Sequence, residues 1–169
     1  MANSQSMCTS FLGELLSATH NFSSANPAHT ANTADTFKAA LYTATSNTSS
    51  STTLCASVTA YSATVNTVPE VSGTGYTAGG VTVTNATNPT ATNSSVTAGV
   101  GYWTPSSPIV YTTVTLTTAF DTVLIYNSTQ SLKAVSVHTF GSQTVTAGTF
   151  TLTMPANSTS SALLRLSTT

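Results

Sequence analysis

The chain has 169 residues, of which 38 are Thr and 25 are Ser, while only seven, three Lys or Arg and four Asp or Glu, carry a fixed charge. Charged residues make up 4% of the chain, against about 25% in ordinary soluble proteins, and the net charge is −1. Three basic side chains cannot neutralise a row of phosphates or hold a protein on an anionic bilayer. The composition therefore excludes an electrostatic nucleic-acid binder and a polybasic membrane-surface protein.

The apolar content is sufficient for a folded core. Apolar residues make up 40% of the chain, and a domain of this size buries roughly two-thirds of its unfolded surface. A net charge close to zero favours association between protein surfaces. We therefore expect a protein that works while docked to other protein.

The cysteines and the N-terminus predict a location. Cys8 and Cys55 are too few for a zinc site and do not resemble a secreted disulfide framework, so we expect two reduced thiols, with a Cys8–Cys55 bond as the alternative. Residues 1–7 contain no basic residue and no apolar run follows them, unlike a secretory signal. No apolar run approaches the roughly 18 residues of a membrane span. These features predict a soluble protein made in a cytoplasm, with no membrane partner.

Residues 7–18 predict a short helix. Met7, Phe11, Leu15 and Ala18 follow one another at helical spacings and share one helical face. About a dozen residues are marginal for an isolated helix, so we expect this one to form when docked. A polar, Pro-containing stretch that includes Phe22 follows. We predict that residues 1–34 are an N-terminal helix and extended arm.

Beyond this arm the pattern changes to the alternation of strands. Half-buried strands are predicted at Thr36–Tyr42, Tyr111–Thr117 and Thr149–Met154, and Val123–Tyr126, apolar on both faces, is predicted to be an interior strand. Turns are predicted at intervals in the second half, one of them at Gly141–Ser142. The fold class is therefore all-β, a single β-sandwich or β-barrel domain over residues 35–169 preceded by the short helical arm. Its predicted core residues are Phe37, Leu41, Leu124, Phe150, Leu152 and Leu164.

No motif indicates catalysis, a cofactor or a metal. His20, His29 and His138 are far apart and form no HxH or HExxH motif, and GxSxG is absent. The four carboxylates can in principle meet as an acid/base pair, but nothing favours that over roles at turns and strand ends. We expect no enzymatic activity, no cofactor and no metal.

Two aromatic segments are candidate contact sites. Residues 73–80, GTGYTAGG, have the wrong spacing for a phosphate loop and lead into a strand, so their glycines are expected to provide turns with positive φ and a bulge. Tyr76 is then expected to insert into the core or into a neighbour. Tyr102 and Trp103 form either a sugar-binding platform or, as we favour, a core or interface anchor.

Several segments in order resemble a family of small virion proteins of tailed bacteriophages, the capsid cement or head-decoration proteins. These segments are Asp35–Tyr42, Glu70–Gly80, Leu124–Asn127, Gly148–Ala156 and Ala162–Leu166. The resemblance implies a β domain on the outer surface of an HK97-type capsid lattice, with a terminal arm reaching between capsid subunits. It supplies no catalytic residues.

These features together predict a cement protein in the virion, on the outer surface of the capsid. Its expected partners are the major capsid protein and further copies of itself, as a dimer or trimer, and no nucleic acid. The first alternative is a tail or head-fibre component that binds a host-surface receptor, and the second is an enzyme, chiefly a glycan hydrolase. The predicted partner-binding residues are Met7, Phe11, Leu15, Phe22, Tyr76, Tyr102 and Trp103.

Overall fold

A computed structural model describes residues 5–23, 33–43, 58–85, 88–92 and 99–168. Its elements in chain order are β1 (Gln5–Met7), α1 (Thr9–Leu16), β2 (Phe37–Thr43), β3 (Thr64–Val65), β4 (Val68–Pro69), β5 (Val81–Val83), β6 (Thr90–Ala91), β7 (Val100–Trp103), β8 (Ile109–Asn127), β9 (Lys133–Leu152) and β10 (Leu164–Ser167). All strand pairings are antiparallel. The prediction of an all-β fold with a short N-terminal helix is confirmed.

The main sheet has the strand order β1-β9-β8-β2-β5. Its centre is the β8–β9 hairpin, whose strands have 19 and 20 residues. Residues 121–127 of β8 are all buried, as expected of an interior strand that is apolar on both faces. The predicted turn at Gly141–Ser142 is wrong, because β9 continues through these residues. A register shift between Phe120/Gln143 and Thr122/Thr139 absorbs them as a bulge.

A second sheet, in the order β10-β7-β6, covers one face of the main sheet. The two layers meet where the Trp103 ring lies 5.9 Å from the Phe37 ring. Within the second sheet, the Leu163 amide donates to the Thr104 hydroxyl at 2.9 Å and extends the pairing of β10 with β7. The opposite face of the main sheet carries Tyr126, whose ring stacks on Tyr61 at 4.5 Å. The second sheet therefore packs on the main sheet, as in a β-sandwich, and β3 and β4 form a third sheet of two strands.

The predicted core residues are confirmed in four of six cases. Phe37, Leu41, Leu124 and Leu164 are buried, whereas Phe150 and Leu152 are only half-buried. Both exceptions lie near the end of β9, where, among the described residues, β8 is the only strand that pairs with β9. Alternation in the sequence predicts which face of the sheet a side chain occupies. It does not predict how far the rest of the protein covers that face.

The N-terminal residues 5–23 pack on the β sheet rather than projecting from it. β1 pairs with β9, with Met7 opposite Ser136, and the Cys8 amide donates to the Val135 carbonyl at 2.9 Å. The helix is therefore shorter than the predicted 7–18, since Met7 belongs to a strand and Ala18 has a positive φ of 53°. The domain boundary at residue 34 stays a prediction.

Two further sequence predictions concern the cysteines and the membrane. Cys8 is buried and Cys55 lies outside the described residues, so the state of the two thiols stays a prediction. Within the described ranges, no helix has the length and apolar character needed to cross a bilayer.

Candidate partner-binding groove

An apolar groove lies between α1 and the second sheet. Its volume is about 270 Å³. One wall comes from the N-terminal residues and the other from the strands β6, β7 and β10. The lining side chains are Met7, Phe11, Leu15, Phe22, Pro89, Thr90, Ala91, Gly101, Tyr102, Trp103, Leu164 and Leu166. None of these residues is charged, so the groove offers apolar surface and backbone polar groups to a partner.

Six of the seven predicted partner-binding residues meet in this groove. Phe11, Phe22 and Trp103 are buried and form its floor, with ring centroids 6.0 Å apart for Phe11–Phe22 and 4.8 Å apart for Phe22–Trp103. Met7, Leu15 and Tyr102 are half-buried on the walls. Residues from the N-terminal segment and from β7 thus come together as one surface.

Trp103 has the geometry of a core anchor. Its ring contacts the Phe22 and Phe37 rings, and its indole N–H donates to Asn85 Oδ1 at 3.0 Å. The Asn85 amide in turn donates to the Phe22 carbonyl at 3.2 Å. A flat sugar-binding platform needs an exposed ring face, and Trp103 is buried, so the core-anchor interpretation fits the structure better.

Sequence reasoning missed three exposed leucines, of which Leu166 lines the groove and the other two lie on α1. Leu12 is 43% exposed and Leu16 is 93% exposed, both on the outer side of α1, and Leu166 of β10 is 49% exposed. The sequence carried the signal for the first two, because Phe11-Leu12 and Leu15-Leu16 are adjacent apolar pairs four residues apart. Adjacent residues of a helix point in different directions. Only one member of each pair can therefore face the protein core, and the other member must face outward.

A partly buried polar network holds α1 in place; we call it the latch. Lys133 Nζ lies 2.6 Å from Glu14 Oε1, and His20 Nε2 lies 2.7 Å from Glu14 Oε2. The Asn127 amide lies 2.9 Å from His20 Nδ1 and donates to Asp35 Oδ2 at 2.7 Å. The latch therefore joins the N-terminal residues to both ends of the turn between β8 and β9.

The latch lowers the pKa of the Glu14 carboxyl. Burial opposes ionisation, but the hydrogen bonds of Glu14 to Lys133 and His20, together with the positive charge of Lys133, outweigh it and hold the Glu14 pKa below its usual value. The His20 ring can satisfy both contacts while neutral, because Nε2–H donates to Glu14 and Nδ1 accepts from Asn127. The arrangement is one of mutually satisfied partners, which suits a structural role.

Tyr76 lies away from the groove, in a second network around Glu70. Its hydroxyl donates to Glu70 Oε1 at 2.7 Å and accepts from the Leu41 amide at 3.0 Å, and its ring stacks on Tyr111 at 5.9 Å. Burial, and then the hydrogen bond to Glu70, raise the pKa of Tyr76. The sequence analysis expected Tyr76 to insert either into the core or into a neighbour. In the structure, Tyr76 packs against the core.

Three of the four glycines of residues 73–80 have the predicted positive φ. Gly75, Gly79 and Gly80 have positive φ values of 78°, 88° and 70°, and the Gly79 amide donates to Glu70 Oε1 at 2.8 Å. Gly80 also lies so close to the Ala39 carbonyl oxygen that a Cβ would collide with it. The segment is a turn that packs on β2, not a phosphate loop.

Other chemistry is limited in the described part of the chain. No group of three or more His, Cys, Asp or Glu side chains is arranged there to hold a metal ion. His138 lies beside Ser136 Oγ at 2.9 Å, and burial lowers the pKa of His138 to about 4. This is the hydrogen-bonded strand histidine that the alternation of residues 134–140 predicted.

Comparisons of the chain with family models, with curated proteins and with solved structures found no match to any of them.

Proposed function

We propose that the protein is a capsid cement protein of a tailed bacteriophage, which docks on the outside of the capsid lattice through the groove and its exposed leucines. The observation that carries the proposal is the groove itself, because it gathers six of the seven predicted contact residues into one uncharged apolar surface. The resemblance of the sequence blocks to head-decoration proteins supplies the identity of the partner.

The exposed leucines supply the driving force for docking. Fully burying a leucine side chain contributes about 1.5–3 kcal/mol, and Leu16 has 93% of its surface available for that burial. Leu12 and Leu166 are further exposed leucines, 43% and 49% exposed, and Leu166 also lines the groove. A soluble monomer gains nothing from such a surface, so a protein partner accounts for it better than solvent does.

The charges of the chain are mostly used inside the molecule. Glu14 and Lys133 bind each other in the latch, and Glu70 accepts hydrogen bonds from Tyr61 and Tyr76. Few charges are left for an interface, and unpaired charges that become desolvated on binding are costly. A surface of hydroxyls and apolar groups therefore suits a permanent contact with neighbouring protein.

The mechanical role follows from mass action. A protein that binds only the mature lattice stabilises it by RT ln(1 + [L]/Kd), and many copies on one shell multiply that effect. A copy that touches two neighbouring capsomers opposes their separation directly. This is how a small domain without catalytic groups raises the resistance of a head to internal DNA pressure.

The test measures binding, copy number and heat resistance on purified particles of the phage that encodes the chain. Leu12→Ser and Leu16→Ser, alone and combined, are expected to reduce binding to particles stripped of the protein, and reloading with the wild-type chain is expected to restore resistance to heat. Leu132→Ser is the matched control, because Leu132 is 40% exposed on the turn between β8 and β9. A copy number equal to that of a tail or fibre, or stripped particles of unchanged stability, would contradict the proposal.

A further inference from the structure

The outer edge of β9 is a long strand edge. The strand has 20 residues, and β1 covers only Ser136–His138 on the side opposite β8. From Gln143 to Leu152, no other described strand pairs with that side. Such an edge presents backbone N–H and C=O groups that are ready to pair with a further strand.

This edge lacks most of the features that keep natural strand edges apart. Proteins usually protect an edge with charged residues, proline, bulges or a short strand. Residues 134–152 contain no Lys, Arg, Asp, Glu or Pro. Register shifts interrupt the β8–β9 pairing at several points, one of them between Phe150 and Gly148. The extra residue of that shift lies on β8, so β9 continues without an inserted residue from Gly148 to Leu152.

The side chains of this regular stretch suit self-pairing. Thr149 and Thr151 are exposed on one face. On the other face the half-buried Phe150 lies 4.9 Å from the Phe120 ring and 5.3 Å from the half-buried Phe140 ring. An aromatic cluster that is incompletely covered at a strand edge gains cover if a second strand is added there.

We propose that two copies of this chain pair antiparallel along Gly148–Leu152 of β9, about a two-fold axis near Phe150, and so join their main sheets into one continuous sheet. A two-fold contact brings each residue against the same surface of the other copy, so a charged edge repels itself whereas this uncharged edge does not. The pairing sets Thr149 opposite Thr151 of the second copy, a favourable cross-strand pair. Phe150 then meets its own copy and extends the aromatic cluster.

The edge and the groove have no residue in common. One chain therefore has room for a second copy on β9 while the groove contacts another protein. The dimer goes beyond the proposed function and does not depend on a capsid, so it is tested on the purified chain alone. Its failure leaves the particle-binding experiment unaffected.

The test is the mass of the chain in solution by analytical ultracentrifugation over a wide concentration range. We expect a monomer–dimer equilibrium in the wild-type chain. The double variant Thr149→Lys/Thr151→Lys is expected to raise the dimer dissociation constant roughly tenfold or more, because like charges then face each other across the axis. Thr64→Lys/Ser72→Lys, at two exposed positions outside β9, is the control that adds the same charge and keeps the dimer.

Hydrogen exchange of the wild-type chain gives a second measurement that needs no variant. Alternate amides within Gly148–Leu152 are expected to exchange more slowly at concentrations where the dimer forms. A wild-type chain that stays monomeric would overturn the proposal. A dimer that survives the lysine pair at β9, or that protects other residues only, would overturn it as well.

Discussion

At the scale of single residues, substituting two different glycines with alanine is expected to change the free energy of unfolding in opposite directions. Gly80 has a φ of 70° and lies against the Ala39 carbonyl, whereas Gly13 of α1 has no atom within 4 Å of the position that a Cβ would take. We expect Gly80→Ala to lower the free energy of unfolding by more than about 2 kcal/mol. We expect Gly13→Ala to raise it by about 0.5–1 kcal/mol, since alanine favours helix.

Urea unfolding followed by circular dichroism measures both changes on the same scale. Gly13→Ala serves as the matched control, because it adds the same methyl group where nothing obstructs it. Equal effects of the two substitutions would mean that the turn before β5 is not held against β2 as described.

The sequence predicted six of the residues that line the groove as contact residues, but it did not predict the groove itself. Aromatic and aliphatic residues in a chain with few charges favour contact surfaces, and this reasoning found Phe11, Phe22 and Trp103. It did not separate the buried floor from the exposed rim, because burial depends on residues far away in sequence. Tyr76 shows the same limit, since its partner Glu70 follows from the turn geometry rather than from any local pattern.

At the scale of elements, α1 depends on the latch. A helix of eight residues is too short to be stable alone, so its contacts to the sheet decide whether it forms. Glu14→Gln removes the charge that binds Lys133 and His20. We expect a loss of about 1–2 kcal/mol in the free energy of unfolding at neutral pH and faster amide exchange in residues 9–16.

The pH dependence of this effect has a definite sign. The Glu14 pKa is lowered in the folded state, so its stabilising contribution is complete above the usual pKa and is lost as the pH falls through the lowered value. The wild-type chain and Glu14→Gln should therefore converge in stability at acidic pH. Arg165→Gln, which removes an exposed charge from β10, should leave both stability and exchange near wild-type values, and a constant gap at all pH values would contradict the latch.

Some strands were predicted from the sequence and others were missed, for a physical reason. The alternating segment Thr36–Tyr42 identified β2, and the apolar run Val123–Tyr126 identified the C-terminal part of β8. Gly141 was interpreted as a turn because glycine commonly ends a strand, but here it belongs to a bulge inside β9. Short strands such as Thr90–Ala91 form through pairing with β7, and their own sequence carries no periodic signal.

At the scale of the whole molecule, the low charge predicts weak sensitivity to salt. Ionic screening shortens from about 10 Å at 0.1 M to about 3 Å at 1 M salt and weakens charge-steered contacts, but apolar burial and neutral hydrogen bonds are little affected. We expect the protein to stay on purified particles in molar salt and to leave with mild denaturant or heat. Sedimentation of particles, with the released protein measured in the supernatant, checks this, and release by salt alone would contradict an apolar interface.

The latch also has a consequence for synthesis on the ribosome. His20 binds Asn127, which lies 107 residues later in the chain. A ribosome adds about 5–20 residues per second, so roughly 5–20 s pass between the two residues. During that time the apolar face with Phe11 and Phe22 has emerged without the β8–β9 hairpin on which it packs. Neighbouring nascent chains on one mRNA therefore expose an apolar N-terminal segment until the hairpin has been synthesised. This exposed segment is the expected binding site for a chaperone.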